Sequence, residues 1–524
     1  MNLKKILSFS ILSFLEFFFA FSYDFYTDEK NGPFLQEQRN VVIVDSLHHY
    51  DLNPHTASYS SEAQVLTGLY EGLFSYDPQT LSPIPALCKS YKVSRDKKRW
   101  TFTLRDDAFF SDGSQITAQS IKDSWIALLS TKNAPFASML DFISGAKDFR
   151  TGKGSAQNVK IEVKDSFTLY IRLNEAASYL PKLLCHQAFT AVSNKMNVYS
   201  GAFYLESYKN NILVMKKNFN YWDASNVLIP GITFIQSDDT EENSYMFNTG
   251  KADWITGNAE IQKIISKDSL KVSTAFGTTY FFFKINNSPW DKSEFRNALL
   301  SAIPYNELRA KYSVPAKTLV YPLSGYNSVI GIDDCDPDYA EESMEDARRK
   351  YGIPEDERLT LVFACNDSEY QKEWAQILKK AWEPLGVDLL IQTNSSELYN
   401  SSISTWNADL FVYSWLGDFA DPMAFLELFR SDSSLNVANY KNIQFDEYMI
   451  ESSREISDTE RYNLLGKAEQ TLLDDGMIIP LAHSISLHII DTNLIGGWNT
   501  NALDIHPLKY LYIKHKTLKL PNMI

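Results

Sequence analysis

The 524-residue sequence contains only four cysteines, Cys88, Cys185, Cys335 and Cys365, and they lie far apart. No C-x-x-C pair and no Cys/His spacing typical of structural zinc occurs. Four cysteines allow three complete disulfide pairings, and nothing in the sequence selects one of them. The scarcity of cysteine excludes a small disulfide-dense scaffold, and the spacing gives no support for a structural metal.

The sequence is also short of positive charge. Lys and Arg number 50 against 65 Asp and Glu, a formal net charge of −15 at pH 7. Sequence-independent binding to nucleic acid needs a basic surface that displaces counterions, so nucleic acid is excluded as the partner. With 21 Gly and 19 Pro the chain is not of low complexity, and beyond the first 22 residues no apolar run is long enough to cross a bilayer.

Motifs of the common enzyme classes are missing. The sequence contains no G-x-x-x-x-G-K-[ST], G-x-S-x-G, H-E-x-x-H or G-x-G-x-x-G, and no carboxylate pair can be placed face to face. His48, His49 and His55 are close enough in sequence to suggest metal ligands, but their position after a predicted strand at 40–44 favours an ordinary loop. We therefore predict no catalytic residue, no metal and no cofactor.

The N-terminus has the pattern of a secretory signal. Lys4 and Lys5 precede an apolar run at 6–21, and small residues stand at the −3 and −1 positions of a cleavage after Ser22. The alternative is a retained membrane anchor, which Glu16 inside the apolar run disfavours. No cysteine lies near the cleavage position to carry a lipid. We predict a signal peptide at 1–22 and export to the periplasm.

Strands and helices alternate along most of the chain. An apolar/polar alternation at 99–105 predicts a strand, and Thr117 is a plausible N-cap for the helix after it. A strand at 359–364, a helix at 369–385 and a strand at 387–392 predict a parallel βαβ unit. The length and this alternation predict an α/β protein of about two to four domains with more than one sheet. Further predictions are a hairpin at 159–163 and 168–173, strands at 409–415 and 477–481, and helices at 422–429 and 458–473.

A set of short motifs follows in order from about residue 40 to the C-terminus. Each motif is weak alone, but their order and spacing together resemble the extracytoplasmic solute-binding proteins of peptide ABC transporters, the oligopeptide-binding group called family 5. The motifs are DLNPH at 51–55, LYEGL at 69–73, FSDG at 110–113, SGAF at 200–203, NYWD at 220–223, KINN at 284–287, DLFVYSWLGDFADPMAFL at 409–426 and YNLLGKAEQ at 462–470.

The resemblance implies an α/β fold of the periplasmic-binding-protein type, with two lobes, a hinge and an extra domain (type II, cluster C-like). The ligand would lie between the lobes, which close over it. The implied partners are an oligopeptide ligand and the membrane permease of an ABC transporter, and the protein would be a monomer. By analogy the chain would cross between lobes near Phe282 and Ser484. The implied segments are 23–70, 197–280 and 485–524 for the first lobe, 71–196 for the extra domain and 281–484 for the second lobe.

The strand ending at Gly417 and Asp418 is the main candidate for ligand binding. Its backbone, including Tyr413, Leu416 and Gly417, can pair with an extended peptide, and Asp418 suits the ammonium group of the peptide's first residue. In the family, the aspartate at the matching position binds that ammonium group. Alternatively, Asp418 or Asp421 caps the helix that begins near 422, and we interpret Asp421 as the cap and Asp418 as the anchor. Trp415 either forms a pocket wall or lies in the core.

At other ligand-contact positions of the family, this sequence has a different residue. Phe136 and Phe282 stand where tyrosines contact the ligand, so the ring is kept and the hydroxyl is lost. Ser58 and Ser60 lie in the loop that presents Glu and Val to the peptide in well-known relatives. Ser484 ends a strand, 481–484, that is tyrosine-rich in those relatives.

The positions around the ligand's carboxylate differ more. Ile403, Ser404 and Val412 stand where relatives carry Arg, His and Arg, and Leu416 replaces a cysteine that forms a disulfide in some of them. These differences predict a roomier cleft that keeps the amine anchor and lacks the carboxylate anchor. Two alternatives to peptide transport stay open: the same fold binding a metal chelate, haem, glycan or opine, and an exported adhesin, sensor or chaperone.

Overall fold

The computed structural model describes residues 39–323, 325–326, 329–395, 398–399, 402–417, 419–433, 435–455 and 457–514. The predicted signal peptide at 1–22 and the predicted anchor Asp418 lie outside the described residues. In chain order the strands are β1 (Val41–Asp45), β2 (Phe74–Tyr76), β3 (Pro83–Pro85), β4 (Cys88–Val93), β5 (Arg99–Leu104), β6 (Ile161–Asp165), β7 (Thr168–Arg172), β8 (Phe203–Lys209), β9 (Ile212–Lys217), β10 (Gly231–Gln236), β11 (Trp254–Ile255), β12 (Leu270–Phe283), β13 (Leu359–Asn366), β14 (Val387–Asn394), β15 (Leu410–Leu416), β16 (Ile478–Ile490), β17 (Ile495–Gly496) and β18 (Tyr512–Ile513).

The helices cover the faces of the sheets and join successive strands. Short 3₁₀ turns occur as well, among them Glu427–Phe429. The α-helices are α1 (Ser60–Leu69), α2 (Ala118–Ser130), α3 (Ala146–Arg150), α4 (Leu180–Leu183), α5 (Thr240–Asn248), α6 (Ser293–Ser301), α7 (Tyr305–Leu308), α8 (Pro337–Tyr351), α9 (Glu369–Trp382), α10 (Met423–Leu426), α11 (Ile443–Arg454) and α12 (Asp458–Asp474).

Local sequence signals account for most of these elements. Thr117 caps α2 by accepting from the N–H of Ser120, as predicted, and α9 begins after Ser368, which accepts from the N–H of Gln371. The chain leaves α9 through Gly386, whose φ of +74° suits glycine, and continues into β14, which pairs with β13 in parallel. The predicted βαβ unit and the predicted hairpin β6–β7 are confirmed. The helix predicted at 422–429 is instead the short α10 followed by a 3₁₀ turn.

One ten-stranded sheet runs through both lobes. Its strand order is β14-β13-β15-β12-β16-β11-β1-β10-β9-β8, so β12 and β16 lie at its middle. On one side of this pair β11, β1, β10, β9 and β8 form the sheet of the first lobe, and on the other side β15, β13 and β14 form that of the second lobe. The two lobes of the predicted α/β fold are therefore the two halves of a continuous sheet.

The crossing between lobes lies within β12 and β16. These antiparallel strands pair on both sides of a register shift between Thr274 and Thr278, and β12 pairs with β15 only from Gly277 onward. The predicted crossing near Ser484 agrees with this position. The predicted crossing near Phe282 is wrong, because Phe282 pairs with Phe411 well inside the second lobe.

The extra domain is built on a separate four-stranded sheet of order β4-β5-β7-β6, packed against α2. Its core includes Trp100, Phe102 and the fully buried Trp125. This core is continuous with that of the second lobe, whereas the first lobe has its own core around Phe203 and Trp254. The strands fall on the predicted sides of the boundaries at 70/71 and 196/197, whereas β12 and β16 run across those at 280/281 and 484/485. The boundaries themselves stay predictions.

Candidate functional site: an open strand edge in the second lobe

The candidate site is the outer edge of β15, the strand predicted to bind an extended peptide. The N–H of Gly417 donates to the carbonyl of Phe276 (2.7 Å), and the N–H of Lys284 donates to the carbonyl of Asp409 (2.8 Å). Because backbone groups alternate in direction along a strand, the odd-numbered residues of β15 face β12. The even-numbered residues therefore direct their N–H and C=O groups toward the opposite, outer edge.

Only part of this outer edge is paired. β13 pairs with β15 at the first two residues of β15 alone. The hydroxyl of Tyr399 then donates to the carbonyl of Val412 (2.7 Å) and accepts from its N–H (2.8 Å). Among the described residues, the outward backbone groups of Ser414 and Leu416 have no hydrogen-bond partner. These two residues offer an unpaired stretch of edge to another extended chain.

The side chains beside this edge are aromatic on one face and small on the other. The rings of Tyr413 and Trp415 stack with centroids 6.0 Å apart, and both are partly buried. The indole N–H of Trp415 donates to the carbonyl of Ala424 (2.9 Å), which fixes the ring against α10. On the other face, the hydroxyls of Ser414 and Thr279 are 2.8 Å apart. Trp415 thus has both a packed and an accessible side.

The residues after β15 are held tightly. A Cβ on Gly417 would lie 2.4 Å from the ring of Phe276, so only glycine fits this position. Asp421 forms a two-pronged ion pair with Arg461 (2.6 Å for both contacts), and both side chains are almost completely buried. Asp421 also accepts from the N–H of Met423 (3.1 Å), the first residue of α10, but the N-cap position is Pro422, one residue after the predicted cap. The larger role, as partner of Arg461, was not foreseen.

The first-lobe loop predicted to face the ligand is exposed, and its backbone is held by Glu62, which was not among the predicted site residues. Ser58 and Ser60 are both exposed. The carboxylate of Glu62 accepts from the N–H groups of Ser58 (2.9 Å), Tyr59 (3.0 Å) and Asp51 (2.8 Å). An acidic residue three positions after a helix N-cap is a sequence signal that could have identified Glu62.

Two of the predicted contact residues are core residues in this structure. Phe282 is 1% exposed and stacks on Phe411 (5.4 Å), and Phe136 is 2% exposed and packs edge-on against His186 (4.4 Å). Neither ring presents a surface to a ligand, because aromatic neighbours enclose both. Ser484 is half-buried at the lobe crossing.

The three histidines considered as metal ligands are held by separate partners. His48 contacts the carboxylate of Glu62 (3.0 Å), His49 stacks on Tyr208 (5.2 Å), and His55 is buried. Burial lowers the pKa of His55 to about 4. Each histidine therefore has a structural role in its own surroundings.

In a different cluster, formed by His488, Asp504 and His506, three atoms that could bind a metal ion lie within 4.8 Å of one another. The indole N–H of Trp254 donates to Nδ1 of His488 (3.0 Å), so the neutral ring carries its proton on Nε2. That Nε2–H donates to Asp504 (2.7 Å), and His506 lies 3.4 Å from the same carboxylate oxygen. A metal on Nε2 of His488 would require loss of the Trp254 contact, so this arrangement suits the hydrogen bond between His488 and Asp504 better than a metal centre.

A family model for the middle part of the bacterial extracellular solute-binding proteins, family 5, matches residues 82–436. The match spans more than half of the chain, including most of the extra domain and the open strand edge. The chain belongs to family 5 of the bacterial extracellular solute-binding proteins.

Curated relatives of this family 5 chain match it over nearly their whole length. The periplasmic oligopeptide-binding protein OppA of Salmonella typhimurium is 27% identical over 525 residues, which cover 93% of this chain and 95% of the relative. The dipeptide-binding protein DppE of Bacillus subtilis is 25% identical over 481 residues, covering 86% and 87%.

Solved structures share the fold. OppA of Burkholderia pseudomallei superposes with a TM-score of 0.79 at 22% identity, covering 92% of this chain and all of that one. Haemophilus influenzae OppA, solved in complex with RPPGFSPFR, gives a TM-score of 0.75 at 22% identity, covering 91% and 99%. These likenesses show the two-lobed fold of family 5 for this chain.

In this family 5 chain, Lys284 lies beside positions 403 and 404, two of the positions predicted to lack the basic residues of relatives. The ammonium group of Lys284 donates to the carbonyls of Ser404 (2.8 Å) and Trp406 (3.2 Å). Lys284 is 5% exposed, and burial lowers its pKa. Its donors are directed to backbone carbonyls, which leaves it poorly placed to bind the carboxylate of a ligand. Ile403 and Val412 are both buried.

The described residues include no helix with the length and apolar character needed to span a bilayer.

Proposed function

We propose that this protein captures oligopeptides between its two lobes in the periplasm and delivers them to the membrane permease of an ABC transporter. The observation that carries the proposal is the unpaired edge at Ser414 and Leu416. Strand addition to such an edge gives affinity through main-chain hydrogen bonds, and therefore without dependence on the ligand's sequence. The named activities of OppA and DppE support the same ligand class.

We further propose a division of roles around this edge. Tyr413 and Trp415 would contact ligand side chains, Leu416 and Gly417 would line the strand end, and Asp418 would bind the ligand's ammonium group. Across the cleft, the exposed Ser58 and Ser60 would face the ligand from the first lobe, and Ser484 would lie at the hinge. Phe136 and Phe282 would support the cleft from the core, because both rings are buried.

A matched pair of substitutions tests the strand edge. Ser414→Pro removes the outward N–H and adds a ring at the edge while leaving the β12 ladder intact, because residue 414 does not pair its N–H with β12. We expect calorimetry to show peptide affinity reduced about tenfold, the scale of one main-chain hydrogen bond plus obstruction. Ser414→Ala keeps the N–H and should bind within about twofold of wild type. Equal peptide affinity in both variants would contradict strand addition.

A second substitution tests the amine anchor. We expect Asp418→Ala to weaken peptide binding by more than about 1 kcal/mol, because it removes a charge-assisted hydrogen bond. Acetylating the peptide's amino group should produce a similar loss in wild type and little further loss in the variant. Unchanged affinity in Asp418→Ala would remove this residue from the site.

The ligand class itself is tested by native mass spectrometry of the purified protein. A ladder of co-purified peptide masses would support the proposal. A single non-peptide mass would identify a different solute on the same fold.

A further inference from the structure

A cavity of about 460 Å³ lies between the extra domain and the second lobe. The extra domain contributes Phe142 and Tyr179 to its wall, and the second lobe contributes Met423, Met449 and Glu427. The wall is largely apolar and rich in methionine, a flexible side chain that adapts to different partners. Its charged groups comprise five carboxylates and three cationic side chains, so the lining is acidic on balance.

The two domains touch at the rim of this cavity. The ring of Tyr179 stacks on that of Phe419, with centroids 6.3 Å apart and planes inclined by 12°. The guanidinium of Arg461 lies 4.6 Å from the Tyr179 ring, and Lys147 forms an ion pair with Asp432. The walls of the cavity therefore come from both domains, whose cores are continuous.

Glu427 is the unusual group in the lining. The residue is 6% exposed, and its Oε2 pairs with Arg430 (3.1 Å). Its other oxygen, Oε1, is buried and has no hydrogen-bond partner among the described residues. Burial raises the pKa of this carboxyl group. A buried carboxylate oxygen without a partner is costly, and a cationic group from a ligand would satisfy it.

The cavity lies within reach of the open strand edge. Phe419, at the rim, follows Leu416 by three residues, so their Cα atoms are at most about 11 Å apart. An extended peptide advances about 3.4 Å per residue, and a lysine side chain adds several ångströms of reach. A long side chain of a peptide paired with Ser414 and Leu416 therefore has the length needed to reach the cavity.

We propose that this cavity is a subsite for a basic side chain of the bound peptide. The aliphatic stem of a lysine or arginine packs against Met423, Met449 and Phe142, and its cationic end binds the carboxylate of Glu427. The inference rests on the proposed peptide function and names the class of peptide that the site prefers. Since the subsite spans two domains, a basic ligand contacts both the extra domain and the second lobe.

Calorimetry with the full-length mature protein tests this subsite. The ligands are an alanine-based pentapeptide and two sets in which lysine, or its uncharged analogue norleucine, replaces each position in turn. We expect lysine at one position to bind at least tenfold more tightly than norleucine there. Glu427→Gln keeps the shape of the side chain and should abolish that preference while changing norleucine affinity less than threefold. Glu451→Gln, an exposed carboxylate on the same helix as Met449, should retain the preference.

A second variant covers the case in which Glu427→Gln fails to fold. Ile450 lines the cavity and is 40% exposed, so a larger side chain is accommodated there. Ile450→Trp should reduce affinity for the preferred lysine peptide at least fivefold and leave the all-alanine peptide unchanged. Binding of peptides without any lysine preference, or a preference that survives Glu427→Gln, would overturn the subsite alone. Failure of every peptide to bind wild type would overturn the proposed function and the subsite with it.

Discussion

At the scale of single residues, the carboxyl group of Glu469 accepts hydrogen bonds from a segment that is distant in sequence. Glu469 lies on α12 and is fully buried. Its Oε1 accepts from the N–H groups of Leu319 and Val320 (2.8 Å each), and its Oε2 accepts from the hydroxyl of Tyr326 (2.7 Å). Burial outweighs these contacts and raises the pKa of Glu469 to about 7. The group therefore changes charge near neutral pH in the folded protein.

This pKa predicts a pH dependence of stability. Between pH 4.5 and about 7 the folded protein holds a proton on Glu469 that the unfolded chain has lost, so raising the pH removes stability, by up to about 3 kcal/mol. Glu469→Gln stays neutral, its Oε1 can accept both N–H groups, and its Nε2 can donate to Tyr326. We expect the melting temperature of wild type, relative to Glu469→Gln, to fall as the pH rises from 5 to 8.

A control separates this effect from a general change of charge. Asp474 is an exposed carboxylate at the end of the same helix, and Asp474→Asn should leave the pH slope of the melting temperature unchanged. A slope that is equal in wild type and Glu469→Gln would show that Glu469 does not titrate in this range.

Such residues could not be assigned from the sequence. Glu469 falls within YNLLGKAEQ, where helical spacing predicts a helix but says nothing of a partner some 150 positions earlier. The same limit applies to Glu427, because the burial of its unpaired oxygen depends on packing between two domains, which the sequence does not specify. Glu62 is the exception, because its partners are local and the capping pattern reveals them.

At the scale of secondary-structure elements, one ion pair ties α12 to the segment that follows the open strand edge. Arg461 on α12 and Asp421 before α10 are 1% and 0% exposed and make two contacts of 2.6 Å. Breaking a buried pair leaves an uncompensated charge, whereas replacing both partners by neutral groups does not.

We therefore expect Arg461→Met to lower the free energy of unfolding by about 3–5 kcal/mol, measured by urea denaturation. The double variant Asp421→Asn/Arg461→Met should recover most of this loss, because the amide oxygen introduced at position 421 can still accept from the N–H of Met423. Lys467→Met removes an exposed cation from the same helix and should change stability by less than about 0.5 kcal/mol. A double variant no more stable than Arg461→Met would contradict this account.

Element prediction succeeded where periodicity and end signals agree. β5, α2 and the βαβ unit of β13, α9 and β14 follow from alternation, capping residues and a terminating glycine. β16 was predicted to stop at 481 but runs to Ile490, since the polar residues His483, Ser484 and Ser486 interrupt the apolar pattern. Their hydroxyl and ring nitrogen atoms pair across the sheet, His483 with Thr278 (3.0 Å) and Ser486 with Ser273 (2.9 Å).

At the scale of the whole molecule, the crossing between the lobes passes through a crowded point. A Cβ on Gly277 would lie 2.6 Å from Oγ of Ser484 and 3.0 Å from a methyl group of Leu416. Gly277 is the first residue of β12 that pairs with β15, and it lies next to the register shift. The missing side chain at this position lets the two crossing strands and the end of β15 approach one another.

We expect Gly277→Ala to reduce lobe closure, because the added methyl group separates these strands. Small-angle scattering should show the radius of gyration falling on addition of peptide in wild type and falling less in Gly277→Ala. Ser484→Gly in the same chain removes the nearest obstruction and should restore part of the change. Equal compaction of wild type and Gly277→Ala would show that this contact does not limit closure.

The first lobe joins segments from opposite ends of the described chain, which bears on how the protein folds. The side chain of Gln64 donates to the carbonyl of His506 (2.6 Å) across 442 positions, and Lys509 pairs with Glu71 (3.0 Å), at the predicted boundary with the extra domain, across 438. Contacts of such high sequence separation form slowly, because a long loop must close first. These two contacts therefore form only after nearly all of the chain has been synthesised, whereas β1 can pair with β10 and β11 earlier.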